Sequence, residues 1–310
     1  TASLDKTQNG IYASDAQGML VNGASLEQPG TELQKIINIS DALTSVLQER
    51  AGTVFGKTNV YLNGERTSVR AEETNLGTLT AEANLYYAQQ IDPTVAVSIK
   101  NGGGIRGPIG SCSFPAGSTN AAELVCSGPA GIPGINQTGD ISQLDLETSL
   151  RFNNSLTLLT LTGEQLKAIA EHAVAEWAVD ATPGAFGQIA GMRYSFDPSN
   201  EAGSRIQNLV VLDGNGVQEN GDLAKVVENG VLVASDARFR VVTLGYLAGG
   251  GDGYPFPLED NEAEYAAANV VELKEAGVKE GRATFADNGT EQDALAEYLL
   301  AKHPVDGTNN

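Results

Sequence analysis

Histidine, cysteine, basic side chains and long apolar runs are all scarce in this chain of 310 residues, and each scarcity closes off a chemistry. The two histidines, His172 and His303, lie far apart in sequence and belong to no His-x-His, Asp-x-His or Asn-His-Glu grouping. A two-metal phosphatase centre is built from such clusters, so the chain itself is expected to hold no metal. Nineteen Lys and Arg stand against 39 Asp and Glu, for a net charge of −20. Non-specific DNA or RNA binding rests on clustered basic residues, so polymeric nucleic acid is not an expected partner. A small anion remains possible where a few arginines converge on one pocket, and Arg66, Arg70 and Arg106 are the candidates. No apolar run approaches the ~20 residues of a membrane span. No Gly-x-Ser-x-Gly elbow supports a serine nucleophile. With 39 acids, some carboxylate pair always lies close, so a glycosidase reading has no specificity.

Cys112 and Cys126 are the only cysteines. Both fall in 107–140, a stretch crowded with Gly, Pro, Ser and Asn, and no histidine lies near them. They read as a disulfide closing a surface loop and not as a metal site, which points to a periplasmic or extracellular location. Thr1 is not an initiator methionine and no signal peptide is present, so the chain reads as a processed or truncated product.

What the chain does have is organised around Val95-Ala-Val-Ser-Ile-Lys-Asn-Gly-Gly-Gly-Ile-Arg106. Val95, Val97 and Ile99 predict a buried strand. Gly102, Gly103 and Gly104 are expected to take positive φ and to bring the backbone close to a ligand. Asn101 offers amide donors and an acceptor, and Arg106 a planar fork for phosphate or carboxylate. A second glycine loop, Tyr246-Leu-Ala-Gly-Gly-Gly-Asp-Gly-Tyr254, follows a strand predicted at 239–244. Its lone Asp252 suits a carboxylate that accepts vicinal hydroxyls.

Around these loops the pattern mixes helix and strand without strict alternation, an α+β class. Residues 1–31 read as a tail or linker with a short strand near Met19-Leu-Val21. Residues 32–50 carry Leu33, Ile36, Ile37, Leu43, Val46 and Leu47 at helical spacing, with a break allowed at Ser40-Asp41. Residues 51–305 make one mixed domain and 306–310 a tail. Strands are expected at 54–62, 156–161, 191–196, 206–212 and 230–234. Thr74 or Asn75 caps a helix carrying Leu79, Ala83 and Tyr87. Taken alone, Arg70 upstream of that cap reads as an exposed residue. Thr162-Gly-Glu-Gln165 is a capping box for a helix whose stripe of Leu166, Ile169, Ala170, Ala173, Val174 and Trp177 is core. His172 falls off the stripe and reads as solvated. Asp213-Gly-Asn-Gly216 lacks the later ligands of a calcium loop and reads as a turn. Thr290-Glu-Gln-Asp293 starts a last helix that ends near Lys302.

Glu73-Thr-Asn-Leu-Gly77, Asn101-Gly-Gly-Gly-Ile-Arg106, Phe152-Asn-Asn154 and Gly250-Gly-Asp-Gly-Tyr254, in that order, resemble the C-terminal, substrate-binding domain of the 5′-nucleotidase family over about residues 51–257. The resemblance implies a mixed α/β multilayer domain in a secreted phosphohydrolase, preceded by an interdomain linker helix at 32–50. It also implies two divalent metals in an N-terminal metallophosphatase domain that this chain lacks. By the same resemblance the ligand is a nucleotide or nucleoside. Arg70 and Arg106 would contact phosphate or ribose, Asn101 the base and Asp252 the ribose hydroxyls. Gly103 would belong to the binding loop, and Phe152 and Tyr246 would sandwich the base. Two departures stand out: Arg151 where the family usually has proline, and Tyr246 where phenylalanine is common. On this view Tyr246→Phe is nearly neutral.

Two other readings keep the fold. One is a non-catalytic extracellular binding or adhesive module. The other is the C-terminal domain of a related phosphoesterase or of a thiosulfate-ester hydrolase; the aromatic pair speaks against the latter, because an inorganic sulfur group has no ring to stack.

Overall fold

The computed structural model describes residues 13–14, 20–21, 32–212, 224–274 and 281–305, so Asp213-Gly-Asn-Gly216 lies outside the described residues. The chain divides into two compact units, Thr1–Arg50 and Ala51–Asn310. In the first, Ala13–Ser14 pairs antiparallel with Leu20–Val21. The helix Glu32–Gly52 is continuous through Ser40-Asp41, where the sequence allowed a break.

The second unit is built on a five-stranded mixed sheet. Its strands run in the order Val271–Glu272, Leu156–Thr162, Arg238–Leu244, Val95–Asn101 and Gly187–Ala190. Val95, Val97 and Ile99 are buried as their spacing predicts, and Ser98, Lys100 and Asn101 are buried too. A strand covered on both faces loses the polar alternation of a half-exposed one. The helix Asn75–Ile91, capped by the Thr74 side chain on the Gly77 N–H, packs on this sheet and against Glu291–Lys302. The helix Gly163–Val174 opens with the expected capping box, and its stripe enters the main core beside Leu209 and Val226 of a four-stranded antiparallel sheet.

Two expectations are revised. The strand predicted over 54–62 ends at Lys57; the Thr58 N–H still reaches the Gly139 carbonyl beside the last paired residue, Asp140, and Leu62 rejoins only through a bridge to Ile109. Gln143–Ser149, for which no element was expected, forms a helix with its own capping box. Arg70 is buried, at 9% exposure.

Strand directions explain how distant segments meet. Arg238–Leu244 runs parallel to Val95–Asn101, with Thr243 opposite Ile99, so both glycine loops leave the same end of the sheet. Leu156 pairs with Leu244, so the Phe152-Asn-Asn154 turn enters there. Gly187 pairs with Asn101, which brings the preceding Thr182–Gly184 segment to the same place. Ligands of open α/β sheets bind at such convergent strand ends.

Candidate functional site

At that end lies a cavity of about 350 Å³, within the ~300–1,000 Å³ range usual for small-ligand clefts. Arg70, Asn101, Gly103, Arg106, Phe152, Tyr246 and Asp252 all line it, and Gly104, Asn154 and Gly184 complete the wall. Arg66 is not among the lining residues, although its charge reaches Arg70.

The first glycine loop works by close approach and not by the expected positive φ. Gly102–Gly104 forms one 3-10 turn, and none of the three is among the positive-φ glycines. A Cβ at Gly102 would fall 1.8 Å from the Val69 carbonyl oxygen. The contact presses this loop against the short helix that leads to Arg70.

Two buried polar groups in the wall are incompletely used. The Asn101 side chain is 4% exposed; its Nδ2 donates to Asp252 Oδ2 at 2.7 Å, while its Oδ1 has no partner. Arg70 donates from Nη1 to the Thr182 carbonyl at 3.3 Å, and its Nε has no partner. Buried polar atoms are normally paired, so this wall holds one spare acceptor and one spare donor. Burial, followed by repulsion from Arg66 and Arg106, pulls the Arg70 guanidinium below its usual value, and Asp252 acts against this.

Phe152 and Tyr246 are the exposed aromatics of the cavity, at 59% and 49%. The Arg106 guanidinium stands 5.4 Å from the centre of the Phe152 ring, and its Nη1 donates to the Gly103 carbonyl at 3.4 Å. The turn below Phe152 is held from the last helix. Glu291 Oε1 accepts from Asn154 N–H and Nδ2 at 3.0 and 2.8 Å, and Asn153 Oδ1 accepts from the Gln292 N–H at 3.2 Å. Glu291 in turn pairs with Lys100 at 2.9 Å, both fully buried. Asn154, Gly184 and this anchor were missed in the sequence. Asn154 carried a signal, standing two residues from Phe152; the others carried none, since their partners are distant in sequence.

Asp252 sits at φ 51°, ψ 19° between Gly250 and Gly253, which are also at positive φ. His172, expected in solvent, instead meets the Asp252 carbonyl through Nε2 at 2.8 Å and packs edge-on against Tyr254. The two tyrosines flanking Asp252 differ in kind: Tyr254 is 2% exposed and donates to the Ala185 carbonyl, whereas Tyr246 opens on the cavity.

Larger hollows occur elsewhere. The one near Lys57, Ser127 and His303, about 740 Å³, is lined by none of the buried side chains that lack partners. Cys112 and Cys126 face each other across the hairpin Ser111–Ser113 and Val125–Ser127 and form a disulfide. Among the described residues, no group of three or more His, Cys, Asp or Glu is arranged to hold a metal ion, so the residues do not fit a resident metal centre.

The sequence model of the family described as 5′-nucleotidase, C-terminal domain, matches residues 54–259, more than half of the chain. The chain belongs to this family. The trifunctional nucleotide phosphoesterase YfkN of Bacillus subtilis is 30% identical over 224 residues, which is 72% of this chain and 12% of that protein. The 5′-nucleotidase of Homo sapiens is 29% identical over 205 residues, covering 64% of this chain and 30% of that protein. Among solved structures, the 5′-nucleotidase precursor from Thermus thermophilus aligns over 94% of this chain and 46% of its own, with a TM-score of 0.58 at 24% identity. That likeness bears on the fold, which is α+β. The chain thus spans less than half the length of each of these relatives. The family match ends at 259, and the Glu291 anchor beneath Phe152 lies beyond it.

Proposed function

We propose that this chain is the nucleotide- or nucleoside-binding part of a secreted phosphohydrolase of the 5′-nucleotidase type. The observation that carries the reading is the convergence, on one cavity, of two exposed aromatic rings, two arginines and a carboxylate held by Asn101. In this reading the base stacks on Phe152 and Tyr246, the sugar hydroxyls donate to Asp252, and Arg70 and Arg106 face the phosphate or ribose. Asn101 Oδ1, which has no partner in the protein, would receive a polar edge of the ligand. The whole protein's activity would be release of phosphate from nucleotides. Its metals, which activate water for attack on phosphorus, would come from an N-terminal metallophosphatase domain of the same polypeptide. The disulfide supports a periplasmic or extracellular location, since such bonds persist in oxidising compartments. No helix among the described residues is long and apolar enough to cross a membrane.

Stacking dominates this reading, because each stacked base is worth roughly 1–3 kcal/mol and a net charge of −20 opposes an anion. An uncharged nucleoside should therefore bind. Calorimetric titration of the purified chain with the four common ribonucleosides and their 5′-monophosphates tests it. At least one nucleoside is expected to bind without phosphate, and the absence of binding by every nucleoside and monophosphate would overturn the reading.

A further inference from the structure

Tyr246 does more at this site than present a ring. Its hydroxyl donates to Asp252 Oδ1 at 2.8 Å and accepts from the Asp252 N–H at 3.1 Å. Asn101 Nδ2 holds the other carboxylate oxygen at 2.7 Å. Each oxygen of a carboxylate has about two acceptor positions, so each keeps one beyond the contact it already makes. Two oxygens with one acceptor position each can take two donors from one ligand, as a vicinal pair of sugar hydroxyls supplies.

The hold on Asp252 is needed because its backbone is unfavourable. A non-glycine residue at φ 51° carries a cost that persists only where surrounding contacts enforce it. His172 enforces it from the carbonyl side and Tyr246 from the amide and carboxylate sides. The tyrosine ring is itself fixed: a Cβ on Gly251 would fall 2.6 Å from both its Cε1 and Cε2, so only glycine lets the loop backbone lie along the ring. The hydrogen bond to Asp252, and then burial, raise the phenol above its usual value. It stays protonated and able to donate throughout the neutral range.

We infer that the Tyr246 hydroxyl is a positioning group that sets sugar specificity, aligning Asp252 for the vicinal hydroxyls of a riboside. The inference rests on the nucleoside-binding reading above and replaces the expectation that Tyr246→Phe is neutral. Phenylalanine keeps the stacking ring but frees one carboxylate oxygen and the strained amide, so it should cost the sugar contact and not the base contact.

The test compares the best-binding ribonucleoside, its 2′-deoxy counterpart and the free base, each titrated calorimetrically against the unaltered chain, Tyr246→Phe and Asp252→Asn. The unaltered chain is expected to prefer the riboside over the deoxyriboside. In Tyr246→Phe that ratio should fall severalfold toward one, with the riboside losing more affinity than the free base, and Asp252→Asn should show the same pattern. A purely structural or stacking role would weaken all three ligands alike and leave the ratio where it was. An unchanged ratio in Tyr246→Phe, in a chain that binds nucleosides, overturns the inference alone. Failure of the unaltered chain to bind any of them overturns the nucleoside reading and this inference together.

Discussion

At the scale of single side chains, exposure separates groups that bind from groups that fold. Phe152 leaves 59% of its surface in water, and substitutions at such surface positions usually change stability by about 0.5 kcal/mol or less. A stacked base contributes roughly 1–3 kcal/mol. Phe152→Ala is therefore expected to weaken nucleoside binding about tenfold or more, with little movement of the urea midpoint. Titration beside a urea melt checks both, and a large loss of stability would place the ring among the core residues instead. The same scale shows what a sequence can and cannot say. Two tyrosines flank Asp252 in the same glycine-rich string, yet one faces the cavity and the other, with its hydroxyl on the Ala185 carbonyl, is core. Nothing local distinguishes them, because the difference lies in a partner 69 residues away. Arg70 was misread for the same reason: its burial comes from packing beside the Thr182 segment, 112 residues on. All seven nominated cavity residues do lie on one wall, because the strand-end glycine loops that carry most of them are written locally.

At the scale of elements, the features legible in advance were those completed within a few residues. The capping interactions at Thr74 and Thr162 close over three positions, and the helix stripe needs only periodicity. What stayed hidden were the polar ties between elements. Gln188 donates to the Val69 and Glu72 carbonyls, joining the edge strand to the segment that carries Arg70. The buried pair of Lys100 and Glu291 joins the strand Val95–Asn101 to the last helix, and through Asn154 to the Phe152 turn. Removing one member of a buried pair leaves an uncompensated charge and costs about 3–5 kcal/mol. Lys100→Met is accordingly expected to lower unfolding free energy by about that much, and pairing it with Glu291→Met should recover part of the loss. Denaturant melts of both single variants and the double variant measure the coupling. Simple additivity would show that the two residues act independently, against the 2.9 Å contact.

At the scale of the whole molecule, the proposed reading assigns recognition to the cavity and hydrolysis to residues outside it. The cavity holds arginines, amides, aromatic rings and one carboxylate, a set that can orient a nucleotide but offers no cluster for a pair of metal ions. Of the two histidines, His172 is engaged with the Asp252 carbonyl and Tyr254, while His303 packs on Tyr298 beside the end of the last helix. Neither belongs to a group of three or more potential ligands among the described residues. Hydrolysis of a phosphate monoester at neutral pH by a two-metal route depends on ions that clamp both the attacking and the leaving oxygen. The purified chain is thus expected to bind a nucleoside and yet release no phosphate from AMP when magnesium, manganese or zinc is added. Binding by calorimetry and phosphate by a colorimetric assay, on the same preparation, check the two halves. Metal-dependent phosphate release above a buffer control, surviving removal of trace phosphatases, would mean that the chain assembles a centre its described side chains do not form.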